Sequence, residues 1–488
     1  MMFSNVYALR CGTSAAVLLG AAAVSLSGPA MADVIISTKA TENMSCSDGV
    51  CTPTAKVAYL NVTDLQNLLA GSSVEITTGS GALAARTRNI AINAGLSWAS
   101  AYVLTLDAYD SVIVDRAVAD DGSGGLTIVT NDGGSGGALS FGDSGAISFL
   151  GTSNILTING AVYTLANGIG MLASDIADNP SGNYALSVDY NARPDGIYKT
   201  PPIPTTFTGN FEGLGHTISH LSINDTVDLN VGLFAETQGG GQLRDIGLVD
   251  ANVRGAATGG GSCGPTCFAE VGILVGDNVS DTIVASYATG AVKGGGLAAV
   301  GGLVGFNGGA ISNSYATCTV TGNHHSVTGG LAGISKGSIT GSYATGATAV
   351  AAQGAAGGLV GSSFAPITDS YATGSVTGDS QTTLGGLLAG NSAGIVDSYS
   401  TGAVTGGSDS YVGGFIGQYE EGEITDSYWD TTTSGQSLGA AGRTPAGVTG
   451  LTTVQLQSGL PAGFSSAIWG ESGSINNGFP YLLALPPS

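Results

Sequence analysis

Four groups of side chains in this sequence have the types and spacing that chemistry requires. His216 and His220 stand four residues apart, within reach of one metal only if the backbone brings them together. Asp107, Asp110 and Asp115 cluster beside Arg116, as a pair of carboxylates for glycosidic cleavage would. Asp369, Asp397 and Asp426 recur at one phase, with Asn313 aligned and Gly341 interrupting, as oxygen ligands for calcium would. Cys46 with Cys51, and Cys263 with Cys267, are close pairs in turn-rich sequence, suited to disulfides in an oxidising compartment. Which of these is realised depends on the elements underneath.

A repeat sets those elements. Tyr287, Tyr315, Tyr343, Tyr371 and Tyr399 follow one another at 28 residues, and Tyr428 follows at 29. Each lies in a near-copy of Ser-Tyr-Ala-Thr-Gly. About 13 residues earlier, near-copies of Gly-Gly-Leu-Val-Gly place Gly302, Gly330, Gly358, Gly386 and Gly414. Ile283, Ile311, Ile339, Ile367, Ile395 and Ile424 hold a third position. A fixed period of this length means one supersecondary unit repeated along an axis. A unit with so few apolar side chains cannot bury them alone, so coil must cover coil. Gly at this density would cost a helix about 1 kcal/mol per residue against Ala. Strands pairing between coils at about 4.8 Å are therefore expected, six coils spanning roughly 29 Å. The glycines are expected to supply positive φ where the coil bends. The spacing leaves open whether the tyrosines point inward or form an external ladder.

On such a scaffold most of the chemistry recedes. Residues four apart on a strand lie about 13 Å apart, too far for His216 and His220 to share a metal. His324 and His325 fall in a turn between repeats. The Asp369, Asp397 and Asp426 ladder reads as a solvated edge, with weak calcium binding as the alternative. The cysteine spacings are not those of a zinc ribbon or finger, so two local disulfides are expected, Cys318 being left over. No catalytic residue, cofactor or metal ligand is assigned, and the protein is not expected to be an enzyme.

Composition narrows the partners. The chain has 488 residues and a net charge of −22, and only 10% of its residues are charged. From Gly255 to Gly442 the only basic residues are Lys293 and Lys336. Nucleic acid needs Lys and Arg against its phosphates, so it is excluded as a partner, and anionic membrane surfaces, which attract the same residues, are disfavoured. Arg10, the apolar run 15–26 and Ala30-Met-Ala32 read as a secretory signal, residues 1–32, with the mature chain starting at Asp33 and no later membrane span. Residues 33–159 alternate short β-rich runs with turns and form an irregular β-helical shaft. One helix is expected there, capped by Asp64. Residues 160–205 are a junction, with a helix near 166–177 and a Pro-rich segment at its end. The repeat solenoid covers 206–429. Residues 430–488 break the period, hold a short helix at 451–456 and read as a C-terminal cap.

Gly-Gly-Leu-Val-Gly-Phe-Asn-Gly-Gly-Ala-Ile-Ser-Asn-Ser-Tyr-Ala-Thr, residues 301–317, resembles the GLUG repeat of bacterial surface proteins. Ser427-Tyr-Trp-Asp430 through Gln436, then Gly450-Leu-Thr-Thr453, resembles the segment that closes such arrays. Residues 179–186 and 207–218 resemble their entry segment, and 62–130 is similar to the shaft of filamentous-haemagglutinin-like adhesins. The resemblance implies an all-β, right-handed parallel β-helix, secreted or displayed on a bacterial cell surface. It implies an adhesin whose partner is a glycan or protein on a host or neighbouring cell. GLUG repeats also resemble segments of immunoglobulin A peptidases, but the His-Glu-x-x-His of those metallopeptidases is absent. A carbohydrate-active β-helix, lyase or glycosidase, is the competing expectation, and a structural spacer the third.

Overall fold

The computed structural model describes residues 33–79, 87–255, 268–391 and 393–487. The secretory signal, Cys263 and Cys267 lie outside the described residues. The chain is a β-solenoid of about 13 turns, with parallel coils about 28 residues apart and about 6% helix. A single 16-stranded sheet runs from Met44–Ser47 at one end to Ile424–Thr425 at the other.

Each repeat coil keeps one side chain per position in register with the next. Ile283 pairs with Ile311, Ile311 with Ile339, and Ile339 with Ile367. All four are at most 1% exposed, so each site gains the full burial of an aliphatic side chain, about 1.5–3 kcal/mol. The repeat glycines work differently from the expectation. Gly302, Gly330, Gly358, Gly386 and Gly414 are not among the positive-φ residues. They are places of close approach. A Cβ at Gly330 would stand 2.1 Å from the Gly358 carbonyl and 2.7 Å from the Ala344 methyl. Positive φ falls instead two residues after each repeat Ile, at Ala285, Asn313, Gly341, Asp369, Asp397 and Asp426. Asp, Asn and Gly tolerate that left-handed bend best. The recurring acids are thus a backbone requirement of the bend.

The following Ser closes each bend. Ser314 Oγ donates to the Ser312 carbonyl at 2.8 Å and accepts the Ser286 amide of the preceding coil at 3.1 Å. Ser342, Ser370, Ser398 and Ser427 repeat this pattern. All are buried, so the hydroxyls replace water for amides that the ladder leaves unpaired.

The shaft is built from strands of three to five residues in less regular order. Its N-terminal end carries the helix Val62–Leu69, which buries Val62, Leu65 and Leu69. Asn61, not Asp64, is its N-cap: Asn61 Oδ1 accepts from the amides of Thr63 and Asp64. Asp64 lies in the first turn, where a carboxylate favours the helix dipole, and accepts the Thr41 hydroxyl. Beside it, strands Met44–Ser47 and Val50–Pro53 form a hairpin joined by a Cys46–Cys51 disulfide.

Shaft and repeats meet at an antiparallel hairpin, Ile155–Ile158 with Ala161–Ala166, turning through Asn159 and Gly160 at positive φ. Two things reverse there. Strand direction reverses, because Ala161–Ala166 is antiparallel to the shaft but parallel to Asn183–Leu186. The buried face reverses as well. Leu165 and Ala185 share the shaft core, whereas their neighbours Ala166, Tyr184 and Leu186 belong to the repeat core. The two solenoids therefore lie against opposite faces of one sheet. Reversing direction and inner face together leaves the winding hand unchanged. The helix expected near 166–177 is Ile169–Asp178, which buries Ile169, Leu172 and Ile176 beside the first repeat coil.

Candidate functional site

One longitudinal strip of the repeat solenoid gathers most of its distinctive side chains. It comprises the left-handed bend and the Tyr that follows. In each Tyr-Ala pair the Ala faces the core and the Tyr faces out. Ile, Leu and Val fill most of the interior, and that position holds an Ala methyl in four coils, then Ser400 and Trp429 in the last two. Outside, the rings of Tyr287, Tyr315, Tyr343, Tyr371 and Tyr399 stack at centroid distances of 4.8, 4.8, 4.8 and 5.0 Å, within 14° of parallel. Coil spacing sets that distance, and offset aromatic stacks favour it.

The C-terminal segment treats this strip in two ways. Val448–Leu451 pairs with Ser427–Asp430, and Trp429, Ala440 and Val448 close the repeat core. That part is an end cap. After the helix Thr453–Leu456, begun by a Thr452 capping box, the chain turns back along the outside. It lays Leu456, Phe464, Trp469, Phe479 and Leu482 over Tyr343, Tyr371, Tyr399 and Tyr428. Trp469 sits astride two coils, its ring centroid 6.0 Å from Tyr371 and 5.9 Å from Tyr399. Its indole N–H donates to Asp369 Oδ1 at 2.9 Å. Tyr428 Oη donates to the Ala462 carbonyl at 2.7 Å, and Tyr399 Oη to the Pro480 carbonyl at 2.5 Å. Residues 452–487 thus form a strap along the side of the solenoid.

The strap also changes the carboxylates of the bend. Burial raises the Asp369 carboxyl, opposed by the Trp469 hydrogen bond. Asp397 rises to about 6, through burial first and then the charges of Asp369 and Asp426 on either side.

The other end of the strip is covered by the shaft. Ile147 N donates to the Leu214 carbonyl and Phe149 N to the Ser187 carbonyl, each at 3.0 Å. Arg244 reaches across to the Leu139 carbonyl at 2.6 Å while paired with Asp245 at 2.7 Å and Glu212 at 3.4 Å. Burial and the neighbouring Asp245 push the Glu212 carboxyl well up, against the pull of Arg244. His216 is buried here, with Nε2 2.8 Å from the Ile147 carbonyl and Nδ1 3.5 Å from Asp189. The nearby His216 ring is the main cause that lowers the Asp189 carboxyl to about 2.

The remaining candidates are dispersed. His220 lies near Asp250, at 3.9 Å, so the two histidines have different partners. Asp110 pairs with Arg88, Arg116 donates to the Asp115 carbonyl, and Asp107 is raised by burial and then by Asp132 and Glu75. His324 and His325 occupy the turn 323–326. Cys318 is buried beside the Ala288 carbonyl, and burial pushes its thiol up to about 12. Among the described residues, no group of three or more His, Cys, Asp or Glu is placed to hold a metal ion. No helix among them is long and apolar enough to cross a membrane.

Sequence reasoning singled out the tyrosines, but Trp469, Arg244 and Asp189 were not selected. The aromatic content of the tail was the only signal for the first of these.

A β-solenoid with an outward aromatic ladder is the class these features define. The GLUG motif matches residues 296–321, the coil that holds Tyr315. Over 101 residues, 21% of the chain, the sequence is 37% identical to halomucin from Haloquadratum walsbyi. The chain spans 1% of halomucin's length. A candidate immunoglobulin A1 protease from Bacteroides ovatus superimposes with a TM-score of 0.40 at 19% identity, over 66% of this chain and 92% of its own. A second structure, an IgA1 protease, gives a TM-score of 0.36 at 18% identity, over 52% of this chain and 20% of its own.

Proposed function

We propose that the protein is a non-catalytic, secreted or surface-displayed β-solenoid that mediates adhesion, binding a glycan or protein on a host or neighbouring cell. The observation that carries this reading is the stack of about 13 turns, parallel on either side of the hairpin at 155–166. It offers the same outward positions coil after coil, a long surface suited to many weak contacts acting together. The export reading of residues 1–32 fits it, since a chain with net charge −22 and a Cys46–Cys51 disulfide suits an oxidising, aqueous exterior.

Cell fractionation with surface protease shaving, followed by attachment of the purified protein to cells, tests the proposal. The protein should be shaved from intact cells and should attach saturably. Deletion of the two in-phase coils 302–357 should weaken attachment if contacts are spread along the stack. Unchanged attachment with reach shortened by about 10 Å would favour a spacer. Steady sugar release lost in Asp107→Asn or Asp110→Asn would replace adhesion by carbohydrate cleavage.

A further inference from the structure

The two covers of the strip do not meet. The shaft lies over the bends of the first repeat coils, at 212–216 and 244–245. The strap lies over the last coils, burying Tyr343, Tyr371, Tyr399 and Tyr428. Tyr287 and Tyr315 remain between them, half-buried and stacked within 2° of parallel. The opening spans two coils, about 10 Å by strand spacing. Gly247 ends the ladder on the shaft side, since a Cβ there would stand 2.3 Å from the Tyr287 ring. Asp143, on an exposed turn of the shaft, acts electrostatically on Tyr315, and Asp189 acts on Tyr287.

The strap shows what this kind of surface holds. On the adjoining coils, the same ladder packs against a turn-rich segment of the chain through Trp and Phe side chains set at a tilt to the Tyr rings. The opening continues that interface without interruption, because Tyr315 stacks directly on Tyr343 at 4.8 Å. What differs is charge. Around Trp469 the carboxylates are those of the bends, Asp369 being buried against the indole, whereas the opening is flanked by Asp143 and Asp189, two exposed carboxylates of other segments. We infer that Tyr287 and Tyr315 form a docking seat for a segment of a partner protein that carries an aromatic anchor next to Lys or Arg. The aromatic ring takes the place against the Tyr rings that Trp469 takes further along, and the basic groups meet Asp143 and Asp189. This deepens the adhesion reading and rests on it by naming a protein rather than a glycan as partner.

A fluorescent peptide of alternating Lys and Trp, titrated into the full chain by anisotropy, is the test. Its Glu-Trp counterpart and a labelled chitin oligosaccharide serve as comparison probes. The Lys-Trp peptide should bind, and Tyr315→Ala should weaken it at least about tenfold. Tyr315→Phe should restore most of the binding, because the ring is kept. Asp143→Asn should weaken it about threefold and flatten its salt dependence. Tyr411→Ala, at an exposed Tyr off the ladder, should change nothing. Circular dichroism and Trp emission report whether each variant is folded. Equal binding to Tyr315→Ala, or equal binding of the Glu-Trp peptide, would overturn the seat. Oligosaccharide binding lost in Tyr315→Ala, with the peptide unaffected, would overturn its protein specificity. If the peptide binds at the seat but the protein does not attach to cells, adhesion fails and the seat stands. Attachment without peptide binding gives the reverse.

Discussion

The shaft and the repeat solenoid satisfy the same physical demands by different means. In the shaft, polar groups are paired one by one: Asn154 with Asp120, Asn159 with Thr130, Asn131 with Gly137, and Arg88 with Asp110. In the repeats one serine per coil does the same work at every level. The shaft pairings use different residues in each coil, and the spacing bridged by those between coils varies from 22 to 34 residues. The serine pattern repeats at 28 residues and tolerates one step of 29, from Ser398 to Ser427. Regularity aligns six tyrosines into a ladder, and irregularity frees shaft turns to reach across to a neighbour. The strip combines both, a uniform floor and a nonuniform wall.

The largest effect expected on this division is at the joint. Arg244→Ala leaves Glu212 and Asp245 buried without their cation, and should cost about 3–5 kcal/mol. In urea melts the single transition should split in two, with the shaft lost separately. A melt that stays single and unshifted would mean the two solenoids are independent of this triad.

Within the repeats, Ile367→Ala should cost about 2–5 kcal/mol, since the coils above and below cannot close the cavity. Ser370→Ala, which leaves the Ser342 amide unpaired, should cost about 1–3 kcal/mol. Replacing Asn159 with Ala in the shaft removes a part-buried pairing and should cost less than Ser370→Ala. Equal losses would erase the contrast between laddered and local pairing.

The strip under the strap is expected to respond to pH. The Asp397 carboxyl is raised from about 4 in the unfolded chain to about 6. A raised value means that the folded state favours the protonated form. That stabilisation is full below about pH 4 and is lost as pH rises through about 6. Trp469 emission and protease resistance of residues 452–487 should both fall across this window. Asp397→Asn should make them flat with pH, and a slope that persists in the variant would assign the effect elsewhere.

The smallest expected effect is at Cys318. A thiol pushed up to about 12 is protonated at pH 8, so it should not react with thiol reagents until the solenoid unfolds. Rapid labelling of the native protein would show that the coils open locally around it.

Several of these features were legible in the residues. The period gave the coil, and the recurring Ile gave the core position. Ser precedes every repeat Tyr and Ala follows the first four, a pattern that is the bend lock and the inward methyl. The Asp-Asn-Gly position was visible as a recurrence, but its cause, a left-handed bend, is a backbone property that the side-chain pattern only hints at. Asp64 looked like a helix cap because it precedes apolar residues at helical spacing. Asn61 took the role because its side chain also bonds the Thr38 and Lys39 carbonyls, which only folding brings near.

The sequence by itself determined the length of the coil, its stacking and the alignment of like residues, because these follow from spacing along the chain. Tertiary structure alone decided that the tyrosines face outward, that the buried face switches at 155–166, and that shaft and strap cover the two ends of one strip. The reason is physical. A strand has two faces, and which one stays dry is fixed by what packs on it from distant parts of the chain, as Trp469 does on Asp369 and Arg244 does on Leu139.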